Sequence, residues 1–319
     1  DIRTSYRLGS NGANVRALCL AMGVPASGID SYTFNSSTIF GASTGNRNLS
    51  PETADTFSLG AVFESPVTSG IFSRLRGSVD FYSIKIKDAV GQLPLASALA
   101  RCFNTDGVSN PTYSATNINC TFFPRNPSTG RVDTATVPLL NLGQYKTTGV
   151  DFQVDWQIPL GDYVGKGLGT FQINVVGTYL RSFEIQSLPN TPILDYAGSS
   201  QSPIDPNGRA SVLPRWKWVS TFALEQGPVR AAVTWRHIAK VYDVSLVTNA
   251  ASTTAGGAAK NYIDLMTRVR VLDGFDLRFS VNNLFDVEPP ILSATRGNTD
   301  TTTYDMFGRM FTVGLRKTF

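Results

Sequence analysis

The chain has 319 residues, of which 42% are hydrophobic, 11% aromatic and 16% charged, against roughly 25% charged in an average soluble domain. A net charge of +4 is too slight for the basic stripe of a nucleic-acid binder, and 19 Phe, 11 Tyr and 4 Trp are more than a solvated, disordered chain carries. No stretch approaches the roughly 18 uninterrupted apolar residues of a spanning helix, and a single histidine, His237, excludes a metal site of several imidazoles.

In chain order, residues 1–10 (DIRTSYRLGS) lack the apolar core of a signal peptide. The protein is then either cytosolic or one whose start lies elsewhere. Residues 13–22 are the one modest helical candidate. From residue 55 onward, period-2 alternation takes over and predicts an all-β chain. The first two predicted strands cover residues 55–63 and 75–82. In residues 150–158 (VDFQVDWQI), Val150, Phe152, Val154, Trp156 and Ile158 share one face, and Asp151, Gln153, Asp155 and Gln157 share the other. The same alternation marks residues 171–179, 216–224, 229–235, 263–271, 275–281 and 311–319, which makes nine strands.

The links between these strands alternate strictly. Short, turn-rich links lie at 65–69, 161–167, Gly227-Pro228 and Asp273-Gly274; long ones lie at 90–143, 187–213, 243–261 and 286–304. One rim of the sheet therefore carries tight turns and the other large loops. Each strand runs about ten residues, against about 5–6 in soluble sheets. At roughly 3.3 Å per residue and a tilt near 40°, ten residues cover about 25 Å, the apolar band of an outer-membrane barrel. Aromatic residues near strand ends (Trp156, Tyr179, Trp216, Trp218, Trp235, Phe319) suit a membrane interface. A soluble β-sandwich shares the alternation but explains neither strand length nor loop asymmetry.

Four segments resemble the C-terminal half of a TonB-dependent outer-membrane receptor. They are residues 48–60 (NLSPETADTFSLG), with the Asn-x-x-Pro-Glu that opens a barrel strand; 79–89 (VDFYSIKIKDA); 282–286 (NNLFD); and the closing 304–319 (YDMFGRMFTVGLRKTF), Gly308-Arg309 included. The resemblance implies a transmembrane antiparallel up-and-down β-barrel, of which this chain forms the last nine or so of about 22 strands around a plugged lumen. It also implies that short turns are periplasmic, long loops extracellular, residues 1–47 an extracellular loop region and residues 48–319 barrel, with the plug domain outside this chain.

The last strand places Phe311, Val313, Leu315 and Phe319 on one face, and this resembles the signal read by the barrel-assembly machinery. Lys317 departs from the apolar residue expected third from the end, although a lysine there can snorkel. Similar loops in the family carry a disulfide, which implies pairing of Cys102 with Cys120; Cys19 has no local mate and is expected to find one before residue 1. The partners implied are outer-membrane lipid, the assembly machinery, the TonB energising complex through the plug, and a small nutrient such as a ferric siderophore, cobalamin or an oligosaccharide. A passive porin and a soluble β-domain are the alternatives.

No nucleophile elbow, phosphate loop or metal-spaced cluster accompanies His237, which is expected at a rim or lumen position bonded to a neighbour. Residues 195–208 (DYAGSSQSPIDPNG) are rich in oxygen ligands but lack the spacing of a calcium loop. No cofactor and no enzymatic activity are expected. Asp151, Asp155, Arg181, Arg230, Arg268, Arg270 and Arg278 are predicted to line the lumen.

Overall fold

The computed structural model describes residues 11–30, 40–93, 95–165, 167–188, 191–202, 211–292 and 299–318. Strands follow in chain order as β1 (Phe40–Thr44), β2 (Thr53–Glu64), β3 (Leu75–Lys87), β4 (Val90–Gln92), β5 (Thr134–Asn141), β6 (Gln144–Pro159), β7 (Thr170–Gln186), β8 (Leu194–Asp195), β9 (Trp216–Gln226), β10 (Val229–Ile238), β11 (Lys260–Leu272), β12 (Phe275–Asn282) and β13 (Met310–Lys317). Two compact units divide them: one joins Asp1–Glu52 to Asp88–Leu142, the other joins Thr53–Lys87 to Gly143–Phe319.

The second unit is an antiparallel meander in the order β13-β12-β11-β10-β9-β7-β6-β3-β2, with β8 added to β7. Its nine long strands are the nine that the alternation predicts, each paired with the long strands before and after it. Short links (65–74, 160–169, 227–228, 273–274) alternate with long ones throughout. Gly227 (φ +55°) and Gly274 (φ +76°) take the left-handed backbone that the two tightest turns need.

Register sorts the side chains into two faces. Leu75, Trp156, Ile173, Phe222, Val233, Leu265, Val281 and Phe311 form one lateral row across eight strands. One residue along, on the opposite face, the row reads Arg76, Asp155, Asn174, Thr221, Thr234 and Asp264. A slip of a single residue would exchange the two, so the apolar pattern fixes the register. Gly177 lies under the Phe152 ring on the apolar face, where an added Cβ would sit 2.4 Å from Phe152 Cζ.

Aromatic side chains collar both ends of the apolar face. At the long-loop end Tyr179 meets Trp216 at 4.6 Å, Trp218 stacks on His237 at 3.8 Å, and Trp235 stands edge-on to Trp218. At the short-turn end Trp156 stacks on Phe72 at 5.3 Å and donates its Nε1–H to the Ile71 carbonyl. Lys317 lies over the Phe275 ring at 5.2 Å, so this departure from the expected closing sequence is accommodated by a cation–π contact.

Several strands extend beyond the predicted spans, the longest extensions running toward the long loops: β6 begins at Gln144 and not at residue 150, and β7 ends at Gln186 and not at 179. There the outer row becomes Lys85, Lys146 and Glu184, so apolar alternation reveals only the part of each strand that crosses lipid. At the other end of the chain β13 stops at Lys317, and Phe319 lies outside the described residues.

The first unit has its own core. Val15, Leu18 and Cys19 of the helix Gly12–Ala21 pack with Val24, Ile29, Cys102, Phe103 and Cys120. Its sheet pairs β1 in parallel with β5, and β5 with β4. Residues 88–142, which hold nearly all of the long link expected at 90–143, are thus half of a folded unit whose other half precedes residue 53. Local periodicity cannot announce a pairing between residues more than 90 positions apart.

Candidate functional site

The polar face is laced by hydrogen bonds and ion pairs within and between strands. Thr178 Oγ1 donates to Asp151 at 2.7 Å, while Asn174 and Gln153 amides donate to Asp155, each at 2.7 Å. Arg230 and Arg268 share Glu225, and Arg270 approaches Asp276 at 3.7 Å. Six of the seven charges predicted for this wall lie on it. Arg181 does not: it is the extra residue of a bulge between Leu180 and Ser182, unmatched in the β6–β7 pairing, and so escapes the alternation that would turn it inward. His237 sits at the rim, bonded to a neighbour as expected: near the long-loop end of β10, on the apolar face, its Nδ1 meets Asn261 Oδ1 at 2.7 Å.

Toward the long loops the wall meets a cap. Arg236 donates through Nε and Nη2 to both oxygens of Asp264 (2.8 and 3.0 Å) and through Nη2 to Asp305 (3.1 Å). Its guanidinium lies 4.9 Å from the Tyr262 ring centroid. This node fastens the 283–309 loop to the wall and borders a cavity of about 530 Å³, also lined by Asn282, Thr301 and Phe307.

Three long loops share one small core, Val212, Val241, Leu292 and Tyr304 packing with Ile238 and Tyr262 of the strands. Backbone bonds from Tyr242 N to Gly198 O and from Ser200 N to Tyr242 O tie the first two loops. Asp300 ties the third to the first, accepting from Val212 N, Thr302 N, Thr302 Oγ1 and Thr303 Oγ1. Burial pushes the Tyr304 phenol up to about 12, so it stays neutral.

Burial alone would raise the Asp300 carboxyl, but its hydrogen bonds from the Thr302 side chain, the Val212 and Thr302 backbone and Thr303 hold it below the usual range. A depressed folded-state pKa gives stability that is complete at neutral pH and lost as pH falls through that depressed value. The cap is therefore expected to persist in mild acid. Asp300→Ala should strip protection from the Val212 amide in hydrogen exchange at neutral pH and cost roughly 1–3 kcal/mol, the penalty for buried donors left unmatched; an unchanged exchange rate would contradict this role.

A family model described as TonB dependent receptor-like, beta-barrel, matches residues 5–284. The chain belongs to the TonB-dependent receptor family. Among solved structures, a mutant of the ferric enterobactin receptor PfeA from Pseudomonas aeruginosa aligns with a TM-score of 0.53 and 14% identity over 87% of this chain and 32% of that one. The FrpB iron transporter from Neisseria meningitidis (F5-1 variant) aligns with a TM-score of 0.51 and 14% identity over 87% and 33%. At that identity the likeness shows a shared fold. The chain spans about a third of the length of these receptors. No curated protein matches in sequence.

In an outer-membrane receptor barrel of this family, the polar face lines the lumen and the apolar face meets lipid. Phe311, Val313 and Leu315 stand on the lipid face of β13, and Val313 is 70% exposed on this open sheet. The family segments act as clamps. In NLFD, Asn283 (φ +51°) bonds both ways with the Val287 backbone, and Asp286 accepts from Arg309 N across the base of the last loop. Gly308 leaves room there, since a Cβ would lie 2.7 Å from Asp286 Oδ1. In the segment 48–60, Glu52 accepts from the Val90 amide.

Cys102 and Cys120 are joined by a disulfide, a ring that lowers the entropy of the unfolded unit by about 3 kcal/mol on the chain-entropy model. Cys19 is free among the described residues and buried, where desolvation pushes its thiol up despite Arg125; it behaves as a small apolar core residue. Asn283 and Asp305 fall within the family segments 282–286 and 304–319, and Asp264 carries the inner parity of its strand, but none of the three stood out as a tie between loop and wall. Asp300 was not singled out by sequence; its only signal was a polar residue in a loop. No group of three or more His, Cys, Asp or Glu is placed to hold a metal among the described residues.

Proposed function

We propose that this chain closes the barrel of a receptor that captures a scarce nutrient outside the cell and admits it when the TonB complex moves a luminal plug. The observation that carries this reading is the continuity of the polar wall into a cap of mutually tied loops, with the Arg236 node and its cavity at their junction. Such a cap offers a pre-formed binding surface. Iron and ferric enterobactin in the names of the solved relatives support a ferric siderophore as the first ligand class to try; cobalamin and oligosaccharides follow.

In this reading residues 1–47 and the long loops face the medium, the short turns face the periplasm, and the β13 face with Phe311, Val313, Leu315 and the terminal Phe319 is read by the barrel-assembly machinery. Sidedness has a direct test in intact cells producing the full-length receptor. Cysteines placed at exposed Thr253 or Val108 are expected to react with an impermeant maleimide, whereas one at exposed Asp162 reacts only after permeabilisation. Equal labelling of the three would contradict the orientation.

A further inference from the structure

One row of the inner wall carries charges that strand pairing opposes unfavourably. Arg230, Arg268 and Arg278 stand directly across from one another on β10, β11 and β12, and like charges in directly opposed positions destabilise a sheet. Glu225, next in the row on β9, is the carboxylate that reaches them, accepting from Arg230 at 3.2 Å and from Arg268 at 3.1 Å. Arg230 also donates to Gln172 Oε1 at 2.9 Å.

The balance is incomplete. Arg278 makes no ion pair among the described residues, and the Nε–H of Arg268 is buried with no acceptor. Three guanidiniums against one carboxylate leave two positive charges around a cavity of about 340 Å³, lined by Glu225, the three arginines and Met266. The neighbouring Arg270–Asp276 pair satisfies itself and supplies no further anion. Arg230 is the second residue of β10 after the Gly227-Pro228 turn, so the row lies at the short-turn end of the lumen, remote from the Arg236 node.

We propose that Arg230, Arg268 and Arg278 form an oxyanion-binding site on the luminal wall, one that takes a carboxylate or phosphate group. Planar guanidinium forks match such groups in two-point hydrogen bonding. An anion seated there relieves the repulsion that the register imposes and gives Arg278 and the Arg268 Nε–H acceptors. The group arrives either on a dissolved anion or as a carboxylate side chain from another part of the same receptor. The inference needs only the facing of the strands and holds whether or not uptake is energised.

The test uses the full-length receptor in detergent, with citrate as probe. Calorimetric titration should show citrate binding that weakens about tenfold in Arg278→Gln, the loss of one charge-assisted contact, and is partly kept in Arg278→Lys. In the wild type, citrate should also protect the three arginines from phenylglyoxal, a readout that needs no variant. If a side chain of the receptor fills the site, citrate does not bind; Arg278→Gln then lowers the thermal midpoint at low salt, the effect fades at high salt, and Arg278→Lys escapes it. The proposal is overturned if citrate binding ignores Arg278→Gln and phenylglyoxal protection is absent. It is equally overturned if citrate does not bind and both variants melt with the wild type.

Discussion

Val233→Arg is expected to remove most of the folded barrel, whereas Thr234→Arg, one residue away, leaves it nearly intact. Val233 lies in the apolar row between Phe222 and Leu265, with lipid as its outer neighbour. Holding a guanidinium near the middle of the hydrocarbon band costs about 2–4 kcal/mol in outer-membrane barrels, a large share of a net stability of roughly 5–15 kcal/mol. Thr234 faces the lumen, where its hydroxyl meets that of Thr221 at 3.2 Å. An arginine there joins a wall already built from charged and amide groups, and the expected change is below about 1 kcal/mol. Urea titration of the full-length receptor in micelles, read by the heat-modifiable shift on gels, compares the two. Equal losses would mean that the faces are misassigned.

The second large effect concerns the closing strand. Leu315→Asp is expected to reduce assembled receptor in the outer membrane several-fold and leave the remainder open to periplasmic proteases. Leu315 pairs with Leu277 on the lipid face, so a carboxylate there both enters hydrocarbon and interrupts the apolar row that the proposed assembly signal requires. Deleting Phe319 should act through the signal alone, since it removes the terminal aromatic and buries no charge. Gly314→Ala, on the inner face opposite Arg278, is the control: an added Cβ there meets Arg278 Cβ only at 4.0 Å. Wild-type yield of heat-modifiable barrel from Leu315→Asp would contradict this account of β13.

Most of the barrel was legible because its physics is local. A strand between lipid and a polar lumen must alternate, and its turns must use residues such as Gly227 and Gly274; both leave marks within ten residues. Three things were not legible. The upper parts of β6 and β7 carry Lys146 and Glu184 on the outer row, where water replaces lipid and the alternation fades. The first unit depends on β1 meeting β5, a long-range pairing without periodic trace. The loop cap rests on single side chains such as Asp300 and Asp305, whose partners, Val212 and Arg236, lie 88 and 69 residues away. Arg181 shows the opposite failure, since alternation was legible there but a one-residue bulge cancelled it.

In the proposed function, binding by the receptor is passive and its transport is driven. Cells producing the full-length receptor, given a radiolabelled ferric siderophore that they accumulate, should be compared before and after collapse of the proton-motive force. Surface binding depends on pre-formed loops and is expected to survive, while accumulation should fall to the level of cells lacking the receptor. Accumulation continuing at full rate after collapse would contradict energised transport and identify a passive porin.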